Sequence, residues 1–181
     1  MAEIEAVVPV KLICGILFHG AIDLNEVMTE LEEKWGKVEA ISDRYPFSLG
    51  SNYYENEMGL PLYRVFCSFE KLVFPEILAS QKLLTQSIED KWSQLYKHVP
   101  RPLNLDPGYI ARGRMVLATT KDFSHRIYLH SGIYAEVTLM FKKHSIKKLE
   151  WTYPDIASGF WDEFLLVQHK KYHRQLEQLI D

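Results

Sequence analysis

The feature that most restricts the fold of this chain is an apolar run at residues 7–18, VVPVKLICGILF. Side chains alternate between the two faces of a strand, and this run is apolar in both sets of positions, with Lys11 as the charged exception. A strand of this kind has to be covered on both faces. The run therefore predicts a central strand inside a layered fold.

The segments that follow predict helices and strands with clear boundaries. Asp23 and Glu26 form a helix-capping pattern, and Gly36 is a suitable end for that first helix. Strands are predicted at 38–47, 62–73, and 103–110 or 115–118, a loop at 52–59, a second helix at 75–95, a hairpin at 125–142 and a last helix at about 158–179. This order predicts one α+β domain, a ferredoxin-like β-α-β-β-α-β antiparallel sheet with both helices on one face, extended by a C-terminal β-hairpin and helix.

The charge of the chain argues against a general affinity for polyanions. Its formal net charge is −3, so nucleic-acid binding would have to depend on a local basic patch. Two segments qualify, namely Lys142, Lys143, His144, Lys147 and Lys148, and Lys170, Lys171, His173 and Arg174. Both have the composition of ordinary solvated strand ends and helix faces, so nucleic acid is not the partner that we expect.

The cysteines and the hydrophobic pattern indicate a cytoplasmic protein. Cys14 and Cys67 both lie in apolar runs, and two cysteines are too few for a disulfide framework or a four-thiolate zinc site. The first residues lack the basic segment of a signal peptide, and no apolar run approaches the ~18 residues of a membrane span. We therefore expect a cytoplasmic location and no membrane contact.

The predicted hairpin carries the most informative polar residues. If 130–132 form a three-residue loop with Gly132 in the left-handed conformation, Leu129 faces Ile133 and Tyr128 faces Tyr134. In the next two pairs, Ile127 faces Ala135 and Arg126 faces Glu136. The face that carries Arg126 is polar and the opposite face is apolar. The polar face is either a solvated sheet surface or part of a ligand site.

Two short polar segments precede the hairpin. In NLDPGY (104–109), Pro107 and Gly108 suit the central positions of a type II turn that Asp106 leads. Asp106 then either caps its own turn or contributes to a site. TTKD (119–122) ends the preceding strand in a cluster of donors and acceptors, and strand-end loops are where sites tend to be built.

Several words of the sequence are similar to those of one bacterial family. They are NLDPGY (104–109), TKD (120–122), HRIYL (125–129), GIYAEVTL (132–139) and WTYPD (151–155). In this order they make nearly the whole chain resemble the domain-of-unknown-function family numbered four-four-one-six. The resemblance implies no established activity, ligand, cofactor or catalytic residue. Some members carry a GTP-binding label, but G-x-x-x-x-G-K-[ST] is absent here and TKD is one residue short of T-K-x-D.

The polar residues of these segments form the predicted site. Lysine and arginine can hold an anion, a histidine can transfer a proton near neutral pH, and paired carboxylates can act as a base or as ligands of a hard metal. The predicted catalytic residues are His125, Glu136 and Asp106. The predicted ligand-binding residues are Lys121, Arg126, Tyr128, Tyr134, Asn104 and Tyr109. The expected ligand is a small anion, phosphate- or nucleotide-like.

No metal site is expected, and the cofactor and oligomeric state are left open by the sequence. His169 and His173 have a helical spacing that can bind metal, but Lys170 stands where the H-E-x-x-H pattern has its glutamate. The alternative hypothesis is a non-enzymatic interaction module, because tyrosine and tryptophan dominate binding hot spots. Its aromatic surface would consist of Tyr53, Tyr54, Tyr128, Tyr134, Trp151 and Tyr153.

Overall fold

The computed structural model describes residues 3–47 and 52–180, with the backbone alone at 52–54 and 180. Its elements in chain order are β1 (Val10–His19), α1 (Leu24–Trp35), β2 (Val38–Ile41), β3 (Tyr45–Pro46), α2 (Asn52–Met58), β4 (Leu62–Val73), a 3-10 turn (Pro75–Ile77), α3 (Leu78–Leu95), β5 (Leu103–Ala111), β6 (Arg114–Thr119), β7 (Ile127–His130), β8 (Ile133–Lys142), β9 (Ser145–Lys148), α4 (Pro154–Ala157) and α5 (Asp162–Ile180).

All nine strands of the described residues belong to one antiparallel sheet. Neighbouring strands follow the order β2-β4-β1-β5-β6-β8-β7, while β3 pairs with β4 and β9 pairs with β8. The predicted α+β class is confirmed. The ferredoxin-like topology with its C-terminal hairpin is not confirmed, because the sheet order differs: β6, β8 and β7 follow β5 in one sheet of nine strands.

The sheet is covered by helices on both faces, as the sequence of β1 requires. Ile16 and Phe18 of β1 pack in the cluster that contains the buried side chains of α1 and α3. Ile13 points the opposite way, into the cluster formed with Trp161 and α5. The prediction of a central strand is confirmed, since β1 pairs with both β4 and β5. No helix in the described part of the chain combines the length and hydrophobicity of a membrane span.

Local signals placed α1 correctly but failed in two later segments. The Asp23 side chain accepts a hydrogen bond from the backbone N–H of Asn25, and Gly36 follows the helix with a φ of 83°. The predicted strand 38–47 is divided, because the Ser42 hydroxyl replaces a backbone group and accepts from the N–H of Phe66 at 2.9 Å. The predicted loop 52–59 is wrong, since Asn52–Met58 forms α2.

The register of the hairpin agrees with the prediction except beside the turn. Tyr128 pairs with Tyr134, and Ile127 pairs with Ala135, but it is His130 and not Leu129 that pairs with Ile133. The three-residue loop is wrong: Ser131 and Gly132, with φ of 54° and 76°, form a two-residue turn. Two successive positive φ values are the signature of a type I′ turn, which matches the twist of hairpin strands.

The predicted type II turn at Pro107–Gly108 is also wrong, because both residues lie inside β5. Pro107 pairs with Cys14 of β1, and Gly108 pairs with Leu117 of β6. A Cβ atom on Gly108 would lie 2.2 Å from the carbonyl oxygen of Val116, so only glycine permits this approach of the two strands.

Pairing between β5 and β6 begins at Gly108, immediately after the proline. Proline has no N–H to donate to a ladder. The first half of β5 pairs with β1 alone, while the end of β6 at Thr119 pairs with β8 alone. The two strands separate here, and this separation determines where a cleft can form.

Candidate functional site

A cleft of about 230 Å³ opens where β5 and β6 separate, and we call it the β5–β6 cleft. Both faces of the sheet contribute to it, since its walls come from β4, α3, β5, α4 and the segment between β6 and β7. The lining residues are Phe47, Arg64, Lys82, Gln86, Glu89, Arg101, Asn104, Asp106, Thr119, Thr120, Lys121, Arg126, Tyr153 and Asp155.

Asp106 is the carboxylate at the centre of the cleft. Its Oδ2 accepts hydrogen bonds from Arg64 Nη2 and from Asn104 Nδ2, both at 2.8 Å. Its Oδ1 accepts one from Lys82 Nζ at 3.2 Å. Burial acts to raise the pKa of Asp106, but the charges of Lys82 and Arg64 outweigh it, and the pKa lies below its usual value. Asp106 is therefore held as a carboxylate between two cations.

Arg64 connects this carboxylate to the opposite side of the cleft. It lies on β4, is 6 % exposed, and donates from Nη1 to Asp155 Oδ2 of α4 at 2.5 Å. Asp155 is 1 % exposed, and among the described residues its Oδ1 has no hydrogen-bond partner. A buried carboxylate oxygen of this kind is a ready acceptor for a donor inside the cleft.

Two charged residues of α3 close the open edge of β5. Lys82 Nζ donates to the carbonyl oxygen of Leu105 at 2.6 Å, and Glu89 Oε1 accepts from the N–H of Leu105 at 2.8 Å. These side chains satisfy the backbone groups that β6 leaves unpaired when it separates from β5. Burial raises the pKa of Glu89, and the charge of Lys82 offsets only part of this effect. Lys82 and Glu89 thus serve the fold and also line the cleft.

Arg126 forms the wall opposite α3 and is held by three groups. Its Nε donates to Glu136 Oε2 at 2.8 Å, its Nη1 to the carbonyl oxygen of Lys121 at 3.0 Å, and its Nη2 to Tyr153 Oη at 3.2 Å. Glu136 is buried behind it. Burial raises the pKa of the Tyr153 phenol, and the negative charge of Glu136 raises it further. Tyr153 therefore stays protonated across the physiological range.

His125 lies behind this wall and does not line the cleft. Its Nε2 is 3.3 Å from Glu136 Oε2, and its ring stacks on Trp151 with 4.8 Å between the ring centres. Both contacts orient the imidazole toward the buried carboxylate. Any effect of His125 on a ligand would pass through Glu136 and Arg126.

The structure brings together some of the predicted site residues and separates others. Asn104, Asp106, Lys121 and Arg126 line one cleft, with Glu136 and His125 directly behind Arg126. Three predicted ligand-binding tyrosines lie elsewhere: Tyr128 and Tyr134 form a T-shaped ring pair on the hairpin, and Tyr109 packs near the start of α3.

The proposed aromatic surface is divided in the same way. Trp151 and Tyr153 support His125 and Arg126, while Tyr128 is exposed on β7. The side chains of Tyr53 and Tyr54 lie outside the described residues.

A family model for a domain of unknown function, DUF4416, matches residues 8–172. The chain belongs to the DUF4416 family. No curated protein and no solved structure matches it. Membership supports the resemblance seen in the sequence words. Four of these words supply lining residues to the cleft of this DUF4416 protein: Asn104 and Asp106 from NLDPGY, Thr120 and Lys121 from TKD, Arg126 from HRIYL, and Tyr153 and Asp155 from WTYPD.

Sequence reasoning missed the charged lining residues that come from β4, α3 and α4. A signal for two of them exists in α3, where Leu78, Lys82, Thr85, Glu89 and Trp92 follow the spacing of one helix face. Charged residues inside such a stripe indicate a buried polar function. Arg64 and Asp155 carry no comparable local signal, because their partners are 42 and 91 residues away in sequence.

The two histidines with helical spacing lie far from the cleft, on α5. Nε2 of His169 donates to the carbonyl oxygen of Arg112 at 2.8 Å and lies 3.2 Å from Nε2 of His173. Within the described residues of the DUF4416 protein, no three His, Cys, Asp or Glu side chains are grouped so that they could hold a metal ion.

Proposed function

We propose that this DUF4416 protein binds a small anionic ligand, phosphate- or nucleotide-like, in the β5–β6 cleft. The observation that carries the proposal is the charge of the lining, which among the described residues has five cationic side chains against three carboxylates. The excess within this lining is two positive charges. A doubly charged phosphate group neutralises such a lining.

The cations are held in place before a ligand arrives. Arg64 is fixed by Asp106 and Asp155, and Arg126 is fixed by Glu136 and Tyr153. Binding then requires little loss of side-chain entropy, which supports affinity for a small ligand. Guanidinium groups also match the oxygens of phosphate and carboxylate in a bidentate geometry.

The size of the cleft supports a compact charged group. Ligand pockets for drug-sized molecules usually measure about 300–1,000 Å³, and this cleft is smaller at about 230 Å³. A phosphate or carboxylate with a few neighbouring atoms fits inside, and a larger body such as a nucleoside would extend into solvent. Thr119 and Thr120 line the same cleft and can donate hydroxyl hydrogen bonds to the anion.

The roles within the cleft follow from the contacts. Asp106 and Glu136 position cations, so we assign them to the orientation of Arg64, Lys82 and Arg126. Catalysis by His125, Glu136 or Asp106 stays a prediction. We also keep the cytoplasm as the proposed location, since the buried free thiols of Cys14 and Cys67 suit a reducing compartment.

A thermal-shift screen tests the proposal with phosphate, sulfate, citrate, sugar phosphates and nucleotides. A ligand at a hundred times its Kd adds about 2.7 kcal/mol, which raises the Tm of a domain of this size by roughly 5–10 °C. We expect such a shift in the wild type. Lys121→Gln, on the exposed wall, should reduce it, and Lys97→Gln, at an exposed position in the turn after α3, serves as the matched control.

The second variant combines Arg126→Gln with Glu136→Gln. It removes the Arg126 cation together with the buried carboxylate that pairs with it, so no unpaired charge is left behind. Loss of the shift in this variant, with an unchanged fold, supports the cleft as the site. If no compound shifts the wild type, or if both variants respond like the wild type, the proposal is wrong. The interaction module would then be the hypothesis to pursue.

A further inference from the structure

A second concavity, of about 580 Å³, lies on the other side of the molecule from the helix α3, between α5 and two strand turns. We call it the basic pocket. Its rim is positively charged and its floor is apolar: Arg112, Lys142, Lys143 and Lys170 lie around the rim, and Phe141 and Leu166 lie on the floor. In the part of the chain that the structure describes, it shares no lining residue with the β5–β6 cleft.

The charge of the basic pocket is of one sign. Its described lining contains four cationic side chains, three histidines and no carboxylate. Within the described residues, none of Arg112, Lys142, Lys143 and Lys170 forms an ion pair. Nearby lysines differ: Lys148 pairs with Asp162, and Lys171 pairs with Glu39. The positive charge of the pocket is thus not neutralised by the protein, although the whole chain is acidic.

The pocket has a fixed shape because three elements are connected around it. His169 of α5 donates to the carbonyl oxygen of Arg112, which lies in the turn between β5 and β6. The ring of His169 also stacks on Phe141 of β8, with 4.1 Å between the ring centres and an angle of 11°. The two basic segments of the sequence, around 142–144 and 170–173, therefore face each other across one concavity, which neither segment forms alone.

We propose that the basic pocket is a second binding site, for an organic polyphosphate with an apolar or aromatic body. Several unpaired cations around one rim match a ligand with at least two phosphate groups, because a single monoanion would leave most of them repelling one another. The apolar floor of Phe141 and Leu166 excludes water beneath the body of such a ligand. The ligand is either a free nucleotide-like molecule or the phosphorylated end of a nucleic-acid strand.

Isothermal titration calorimetry at low salt, without phosphate buffer or divalent metal, tests the proposal with the full chain. The probes are ATP, tripolyphosphate, adenosine and a short single-stranded oligonucleotide with a 5′-phosphate. The variants are Lys143→Glu in the turn after β8 and Lys170→Glu on α5, both at exposed positions. Lys97→Glu, also exposed but outside both sites, is the matched control, and Lys121→Gln reports on the β5–β6 cleft.

We expect ATP to bind more tightly than tripolyphosphate, which lacks the aromatic body, and more tightly than adenosine, which lacks the phosphate groups. Each charge reversal should weaken ATP binding about tenfold or more, the effect of one hydrogen bond to a charged group. Lys97→Glu, which lies outside both sites, should stay within about twofold of wild type. Tighter binding of the oligonucleotide than of ATP, with the same sensitivity to Lys143→Glu, would identify a nucleic-acid end as the ligand source.

Three results would overturn the proposal. Absence of heat from ATP and from the oligonucleotide at millimolar concentration would show that the pocket binds neither source. Equal affinity for tripolyphosphate and ATP would remove the role of the apolar floor. ATP binding that both charge reversals leave unchanged, while Lys121→Gln weakens it, would place the ligand in the β5–β6 cleft instead.

Discussion

Asp106→Asn removes the negative charge that holds Arg64 and Lys82 together while keeping the shape of the side chain. The wild-type carboxylate accepts from Arg64 at 2.8 Å, from Lys82 at 3.2 Å and from Asn104 at 2.8 Å. An amide would keep one acceptor and place its NH₂ group against a guanidinium or an ammonium. The variant should therefore fold less stably.

The magnitude follows from the burial of the partners. Removing one member of a buried ion pair costs about 3–5 kcal/mol. The side chains of Arg64 and Lys82 are 7 % and 6 % exposed, but that of Asp106 is 20 % exposed, so we expect the lower end of that range. A loss of about 3 kcal/mol lowers the Tm of a domain of this size by roughly 6–12 °C.

The assay is urea unfolding at a series of pH values, because it also shows whether the stability contributed by Asp106 increases or decreases with pH. The pKa of Asp106 in the folded protein lies below the ordinary value of 3.8. The stability contributed by its charge is thus fully present above that value and is lost as the pH falls through the folded pKa. The difference between wild type and Asp106→Asn should be constant near neutral pH and should shrink below about pH 4.

The control is Asp90→Asn, an exposed carboxylate on the same helix as Lys82, which should change the free energy of unfolding by less than about 0.5 kcal/mol. A destabilisation by Asp106→Asn no greater than that of the control would refute the central role of Asp106. A difference that widens as the pH falls would refute the sign of the pKa shift.

Three other predictions concern backbone packing, a buried acid and the thiols. Gly108→Ala should lose at least about 2 kcal/mol in urea unfolding because its Cβ would overlap β6, whereas Gly113→Ala, with open space at its Cβ, should change little. Burial raises the pKa of Glu89 in the folded protein above its unfolded value near 4.5, so ionisation of this side chain destabilises the wild type as the pH rises above that value. Glu89→Gln cannot ionise, and its stability relative to wild type should therefore increase over the same pH range; equal pH profiles of the two proteins would contradict this. Cys14 and Cys67 should react with a thiol reagent at pH 8 only after unfolding, since burial raises both pKa values, that of Cys67 to about 12; rapid labelling of the native protein would be the contrary result.

The hairpin shows how far local pattern can determine structure. Alternation of apolar and polar residues predicted the pairing of Tyr128 with Tyr134 and the contact of Arg126 with Glu136, and both are present. The register fails only at Leu129, beside the turn, because a two-residue turn and a three-residue loop shift the last pair by one residue. Turn type depends on backbone angles that the residues Ser131 and Gly132 do not fix alone.

The segment at Pro107–Gly108 shows the opposite case. Turn statistics favour a type II turn for this pair, yet both residues lie in a strand that is paired with β1. Pairing with β1 and the close approach to β6 at Gly108 override the local preference. The side chains of Lys82 and Glu89 then satisfy the backbone of Leu105, which no pattern within β5 reveals.

The sequence by itself determined what depends on short-range periodicity and capping: a central β1, the limits of α1, the α+β class and four of the residues that line the cleft. The tertiary structure alone decided the order of the nine strands, the open edge of β5 and the cluster of Arg64, Asp106 and Asp155. The physical reason is the separation along the sequence of the residues that interact. Hydrophobic periodicity is read over a few residues, whereas charges separated by 42 and 91 positions meet only when the sheet forms.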